Sequence, residues 1–163
     1  MMMIDAFMPE GITRLAVDSI FMMPQLGVLA QVNKEASMQV FNRDCLINLG
    51  TCIAPVGKSG EGKPCMSVEI TMSDGSIIQK DVKIGDMVVI PLPDGESAKV
   101  SIDPRSGFDV GEGNGKILEA EVTGGVVGII IDARGRPLQL QKDSAKRVGK
   151  LQEWAEAMGI YPR

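Results

Sequence analysis

The chain has 163 residues, 44% apolar and 23% charged, the proportions of an ordinary globular protein rather than a disordered one. It contains no histidine, which excludes Ser-His-Asp and Cys-His catalytic units, His-ligated zinc and a histidine pH switch. A net charge of −4, with only four Phe, one Trp and one Tyr, offers no diffuse field or stacking platform, so neither nucleic acid nor membrane is an expected partner.

The first residues, Met1 to Phe7, are apolar but lack the basic flank and length of a signal peptide. No stretch approaches the roughly 20 apolar residues of a membrane span, so a cytoplasmic location is expected. The segment reads as the end of a helix belonging to something larger, broken at Pro9-Glu10-Gly11. Ile12 to Val17 is expected as a short buried strand. Asp18 or Ser19 then caps a turn toward Met23, and Pro24 suits the first position of a helix through Ala30. Six of the 11 methionines lie in the first 23 positions, either as core filler or as a surface for a partner segment. Because Met1, Met2, Ile4, Phe7, Met8, Phe21 and Met22 concentrate there, residues 1–30 are expected either to self-associate or to be poorly ordered.

From Met38 the period changes to two, with Met38–Phe41, Cys45–Leu49 and Cys52–Val56 as candidate strands and residues 57–64 as a mobile surface loop. Between Cys65 and Met72, Met66, Val68, Ile70 and Met72 alternate with Ser67, Glu69 and Thr71, the pattern of a half-buried strand. Asp74-Gly75 predicts a two-residue type I′ hairpin into Ile77–Ile84. Met87–Leu92 and the alternating Ala98, Val100, Ile102 follow, then a glycine-rich loop from Gly107 to Gly115. Leu118, Ala120 and Val122 alternate with Glu119 and Glu121, which share a face toward solvent. Val126–Ile131 is an apolar run that suits a strand covered on both sides. The last element is helical, capped by Asp143 or Ser144, with Ala145, Val148, Leu151, Trp154, Ala155 and Met158 at spacings of three and four and Gly159 at its end. Trp154 reads as an anchor for this helix, with a ligand contact as the alternative. The expected fold is mainly β within the α+β class: an antiparallel barrel or sandwich with short N-terminal helices and one C-terminal amphipathic helix.

Cys45, Cys52 and Cys65 are an odd number without a CxxC pair, which fits free thiols in a reducing compartment. A reactive thiol is the functional alternative, with no histidine to activate it. Gly111-Glu112-Gly113-Asn114-Gly115-Lys116 is not a Walker loop: Val110 stands where the first glycine belongs, and Ile117 follows the lysine. Its backbone amides, beside Arg105 and Lys116, are still a candidate anion cradle. Asp132-Ala133-Arg134-Gly135-Arg136 carries two arginines on one turn, suited to a carboxylate or phosphate, or to an internal ion pair with Asp132 or Asp109. As a surface pair that contact is worth about 0–1 kcal/mol. Asp109, Glu112, Glu119, Glu121 and Asp132 are the carboxylates on offer for acid–base work. The candidate contacts for an anion or partner are therefore Arg105, Asp109, Lys116, Asp132, Arg134 and Arg136, with no metal site.

Four stretches together carry a resemblance: residues 9–13 through 26–29; residues 48–57, reading NLGTCIAPVG; Gly107-Phe108-Asp109-Val110-Gly111 with Gly113 and Gly115; and residues 124–138, reading GGVVGIIIDARGRPL. They resemble the C-terminal part of the MutL/GlmL family, accessory proteins of glutamate (methylaspartate) mutase and similar cobalamin-dependent mutases, unrelated to the mismatch-repair MutL. That family is similar to the actin/Hsp70/sugar-kinase ATPases and the hydantoinase–oxoprolinase group. The resemblance implies that residues 1–36 are the tail of an ATPase lobe, residues 37–142 a β domain and residues 143–163 a helix packed on it. Nothing in the chain matches the family's phosphate-binding segments, so no catalytic residue carries over and no cofactor or ATP hydrolysis is expected of it. The implied role is a non-catalytic interaction or regulatory domain, with the parent's ATPase lobes and a cobalamin-dependent mutase as partners. The alternative is a β-barrel that binds a small ligand or anion.

Overall fold

The structure is a computed structural model that describes residues 1–138 and 140–160. The fold is α+β. Helix α1 (Met2–Phe7) leads into strand β1 (Gly11–Asp18), then helices α2 (Met23–Val32) and α3 (Lys34–Val40) and a π-helical turn (Phe41–Cys45). Strands β2 (Leu46–Ala54), β3 (Val56–Gly57), β4 (Pro64–Thr71), β5 (Ile77–Lys83) and β6 (Met87–Ile90) follow. Strands β7 (Ser97–Pro104), β8 (Phe108–Asp109), β9 (Leu118–Thr123) and β10 (Gly128–Asp132) precede helix α4 (Ser144–Ala157).

The strands form three sheets among the described residues, ordered β1-β2-β10-β6, β3-β8 and β5-β4-β7-β9, with no closed barrel. Alternation explains the last of these. Met66, Val68 and Ile70 of β4 and Ala98, Val100 and Ile102 of β7 point into one core, while Ser67, Glu69 and Ser101 stay half-exposed. Ile53 of β2, Ile90 of β6 and Ile129 and Ile131 of β10 meet that core from the first sheet. Ile130 points the other way, into a cluster with Ile4 of α1, Leu15, Cys52 and Trp154 of α4. The first sheet is thus a middle layer, which is why β10 is buried on both faces as its apolar run predicts. Each fully buried Ile or Val contributes about 1.5–3 kcal/mol relative to exposure.

Several expectations are corrected. Met38–Phe41 is not strand: Asn33 caps α3, its Oδ1 accepting from the Ala36 N–H at 3.0 Å, and the chain stays helical to Cys45. Leu46–Leu49 and Cys52–Ala54 of the next two expected strands merge into the one long β2, while Cys45 ends the π-helical turn and Val56 opens β3. β1 does form, yet it is an edge strand whose Arg14 and Val17 are exposed rather than a buried one. The Asp74-Gly75 turn is not type I′, because only Gly75 has positive φ (83°). The Gly75 N–H donates to the Met72 carbonyl and the Met72 N–H to that of Ser76, so the loop has three residues and ends in a glycine bulge. Nor is the first sheet wholly antiparallel, since β10 runs parallel to β2. These two strands pass where Gly50 faces Gly128, and a Cβ on Gly50 (φ +125°) would overlap the Gly128 carbonyl.

β1 pairs with β2 from Gly11 opposite Ala54 to Asp18 opposite Leu46, so one sheet spans the expected boundary between residues 36 and 37. α4 begins as expected, with the Asp143 carboxylate accepting from the Lys146 N–H at 2.8 Å. Its buried face differs from the expected stripe: Val148 and Leu151 are exposed, while Trp154 and Ala155 are buried. Residues 161–163 of the expected C-terminal segment lie outside the described residues. No helix among the described residues is long and apolar enough to cross a membrane.

Candidate functional site

Strand β10 carries Asp132 to the end of the middle sheet, where helices α1 and α4 close over it. The Asp132 side chain is fully buried, and those of Arg134 and Arg136 are only 2% and 4% exposed. Asp132 Oδ1 accepts from Arg134 Nε at 2.9 Å and from the Arg134 backbone N–H at 3.1 Å. Its Oδ2 accepts from Arg134 Nη2 at 2.9 Å and Arg136 Nη2 at 3.0 Å. Arg134 Nη2 also donates to Asp5 Oδ1 of α1 at 2.6 Å, and Arg136 Nε to the Pro9 carbonyl at 2.9 Å. Burial alone pushes the Asp132 carboxyl up, but the Arg134 hydrogen bond and the charges of both arginines outweigh it and hold it below the ordinary value. For Arg134, burial is likewise outweighed by Asp132 and Asp5, and its pKa rises. The Arg134 guanidinium lies 5.1 Å from the centre of the Trp154 ring, whose Nε1–H donates to the Gly85 carbonyl at 2.8 Å. This is a buried network rather than a surface ion pair, so the 0–1 kcal/mol expected for the latter does not apply.

Arg105, Asp109 and Lys116 form a separate group around the glycine-rich loop. Asp109 Oδ1 accepts from the backbone N–H groups of Gly111 (2.7 Å) and Gly113 (2.9 Å), and these bonds lower its pKa. Arg105 and Lys116 are exposed, and the loop is anchored by the buried Phe108 and Val110. The loop's amides are thus turned inward on its own carboxylate, while both basic side chains face solvent.

The three cysteines are buried and unpaired with one another. Burial pushes the Cys52 thiol up to about 12 and the Cys65 thiol up to about 11. Both are protonated at neutral pH, the poorly nucleophilic form. Glu119 and Glu121 lie on the exposed face of β9 as alternation predicts, with Glu121 accepting from Ser97 Oγ at 2.6 Å. Among the described residues, no cluster of three or more Cys, Asp or Glu side chains is arranged to hold a metal ion.

The arginine network also forms the floor of a cleft of about 560 Å³. Its rim brings in Lys58 and Glu61 from the β3–β4 loop and Arg147 and Lys150 from α4. Neither Arg105, Asp109 nor Lys116 lines it. Sequence reasoning missed all four rim residues. Arg147, Lys150 and Trp154 stand at spacings of three and four, a helical face in plain view, but the neighbouring stripe of Val148 and Leu151 was the more apolar choice. No protein-family profile, curated protein or solved structure matches the chain.

Proposed function

We propose that the chain is a non-catalytic interaction or regulatory domain of an ATPase-like accessory protein serving a cobalamin-dependent mutase in the cytoplasm. The four stretches that resemble the MutL/GlmL family support the pathway. They fall on structurally decisive places: the β1–α2 segment, β2, the glycine-rich loop and β10 with its arginine turn. In this reading the two four-stranded sheets face each other as an open sandwich.

The observation that carries the interaction role is the surface of α1–α3. Helix α2 packs on α3, where Ser37 Oγ donates to the Leu26 carbonyl at 2.8 Å, but only Leu26 of its apolar side chains is buried. Phe7, Phe21, Val28 and Val32 are between 66% and 88% exposed. Where exposed apolar side chains of this size gather into a patch, they mark a contact site on most proteins. Its occupant in this reading is the ATPase part of the parent protein. The test is a binding isotherm of the chain against those lobes and against the mutase. Phe21→Ser with Val32→Ser should weaken binding at least tenfold, since each buried aromatic or aliphatic anchor is worth about 1–3 kcal/mol. Absence of binding to both partners, or magnesium-dependent ATP hydrolysis by the purified chain, rejects the proposal.

A further inference from the structure

The cleft over the arginine network has a chemistry that the interaction role does not use. Five cations surround it: Arg134 and Arg136 on the floor, Lys58, Arg147 and Lys150 at the rim. Five carboxylates answer them, namely Asp5 and Asp132 beneath, Glu61 and Glu153 beside Lys150, and Asp86, whose charge also acts on Lys150. The charges balance in number, on a chain whose net charge is −4, so what matters is which cations are directly paired.

The pairing is not spread evenly. Among the described residues, Lys58 and Arg147 have no carboxylate within 4.0 Å. Arg147 is nevertheless held, because its Nη1 donates to the Gln141 carbonyl at 3.2 Å. Its remaining donors are thereby oriented without being consumed. On the floor, Nη1 of the buried Arg134 has no hydrogen-bond partner among the described residues. Arg134 lines the cleft, although its side chain is only 2% exposed. The walls are apolar where Ile84, Leu140 and Trp154 line them.

We propose that this cleft binds a small organic anion: a phosphate or carboxylate head on a compact apolar body. The head sits between Arg147 and Lys58, above the buried Arg134, where the Arg147 guanidinium matches either oxyanion with paired donors. The body lies against Ile84, Leu140 and the Trp154 ring. A volume of about 560 Å³ is within the range of small-molecule sites. Glu61, the one carboxylate on the rim, contacts Gln141 and lies 4.0 Å from Lys150, so it competes with the ligand for the same cations.

Trp154 is the sole tryptophan, and its emission reports occupancy directly. The experiment titrates the full chain with phenyl phosphate, benzoate, inorganic phosphate and the neutral analogue benzamide. Saturable emission changes are expected for phenyl phosphate or benzoate, with affinity near or below about 1 mM. The benzamide response should be at least tenfold weaker, and higher salt should weaken anion binding. Whether phenyl phosphate or benzoate binds tighter identifies the head group. Lys58→Gln with Arg147→Gln should lower affinity about tenfold at an unchanged melting temperature, because both side chains lie outside the buried network. Glu61→Gln, at a half-exposed side chain, should instead raise affinity severalfold, and it serves as the deciding variant should the double variant fail to fold. No saturable response to either aromatic anion, equal binding of benzamide, or affinity that neither variant moves would overturn the proposal.

Discussion

Two short segments of this chain carry the same kind of residues and meet opposite fates. Asp109 with Arg105 and Lys116, and Asp132 with Arg134 and Arg136, both place an aspartate among basic residues and glycines. Asp132 ends a strand buried on both faces, so its arginines are drawn inside and must be neutralised there. Asp109 ends a two-residue strand on an exposed loop, so its carboxylate turns to backbone amides and its cations are left in water. What surrounds a charge, rather than which charges lie beside it in sequence, decides whether it is structural. The difference teaches that ion pairs inherit their importance from the element that carries them.

Removing the central carboxylate tests this contrast hardest. Asp132→Ala leaves two arginines buried without their partner and should cost about 3–5 kcal/mol in urea unfolding. Asp109→Ala loses loop hydrogen bonds only and should cost about 1 kcal/mol. Equal losses would erase the distinction. Arg134→Ala comes next, expected at about 3 kcal/mol because Asp132 and Asp5 lose a shared donor and Trp154 a stacking partner. Arg134→Ala within the range of surface substitutions would show the network to be dispensable.

Acidification sharpens the comparison further. The Asp132 carboxyl is held below its ordinary value of 3.8, so its contribution is fully present above about pH 3.8 and is lost as the pH falls through the folded-state value. Asp109 is lowered in the same direction, by backbone hydrogen bonds from Gly111 and Gly113 rather than by buried arginines. In unfolding measured between pH 5 and 2, a window of about that width for depressed carboxylates, Asp132→Asn should flatten the acid limb more than Asp109→Asn does. The reverse order would place the stronger coupling in the loop. The smallest effects are expected at Arg105→Ala and Lys116→Ala, each within about 0.5 kcal/mol by thermal melting. A loss well beyond that would mean that the glycine-rich loop is held by its cations.

Periodicity made the alternating β4 and β7 legible, and the apolar run of residues 126–131 made β10 so. Pro24 in its first turn did the same for α2, and the Asp143 cap for α4. These signals are local: they report which side of an element is apolar, and they succeed where that side decides the structure. α3 was hidden because Met38, Val40 and Phe41 suit a strand as well as a helix, and the Asn33 cap alone tips the balance. The parallel pairing of β10 with β2 was not legible, since strand partners 78 residues apart leave no local mark. In the candidate site the arginine turn was visible, but its burial was not, because the helices that close over it come from both ends of the chain. Lys58 and Arg147 reach the cleft from a loop and a helix whose closeness only the tertiary fold creates.

That parallel pairing also governs how the protein is made. β10 lies between β2 and β6, so the middle sheet lacks an inner strand until residue 132 has left the ribosome. The second four-stranded sheet, assembled from β4, β5, β7 and β9, needs nothing beyond Thr123 and is free to form earlier. During synthesis, then, a formed sheet precedes an open one, and the exposed edges of β2 and β6 wait for a strand that arrives late. Closing a gap of this length costs entropy before any contact repays it, which slows the insertion of β10 relative to the local pairing of β4 with β5.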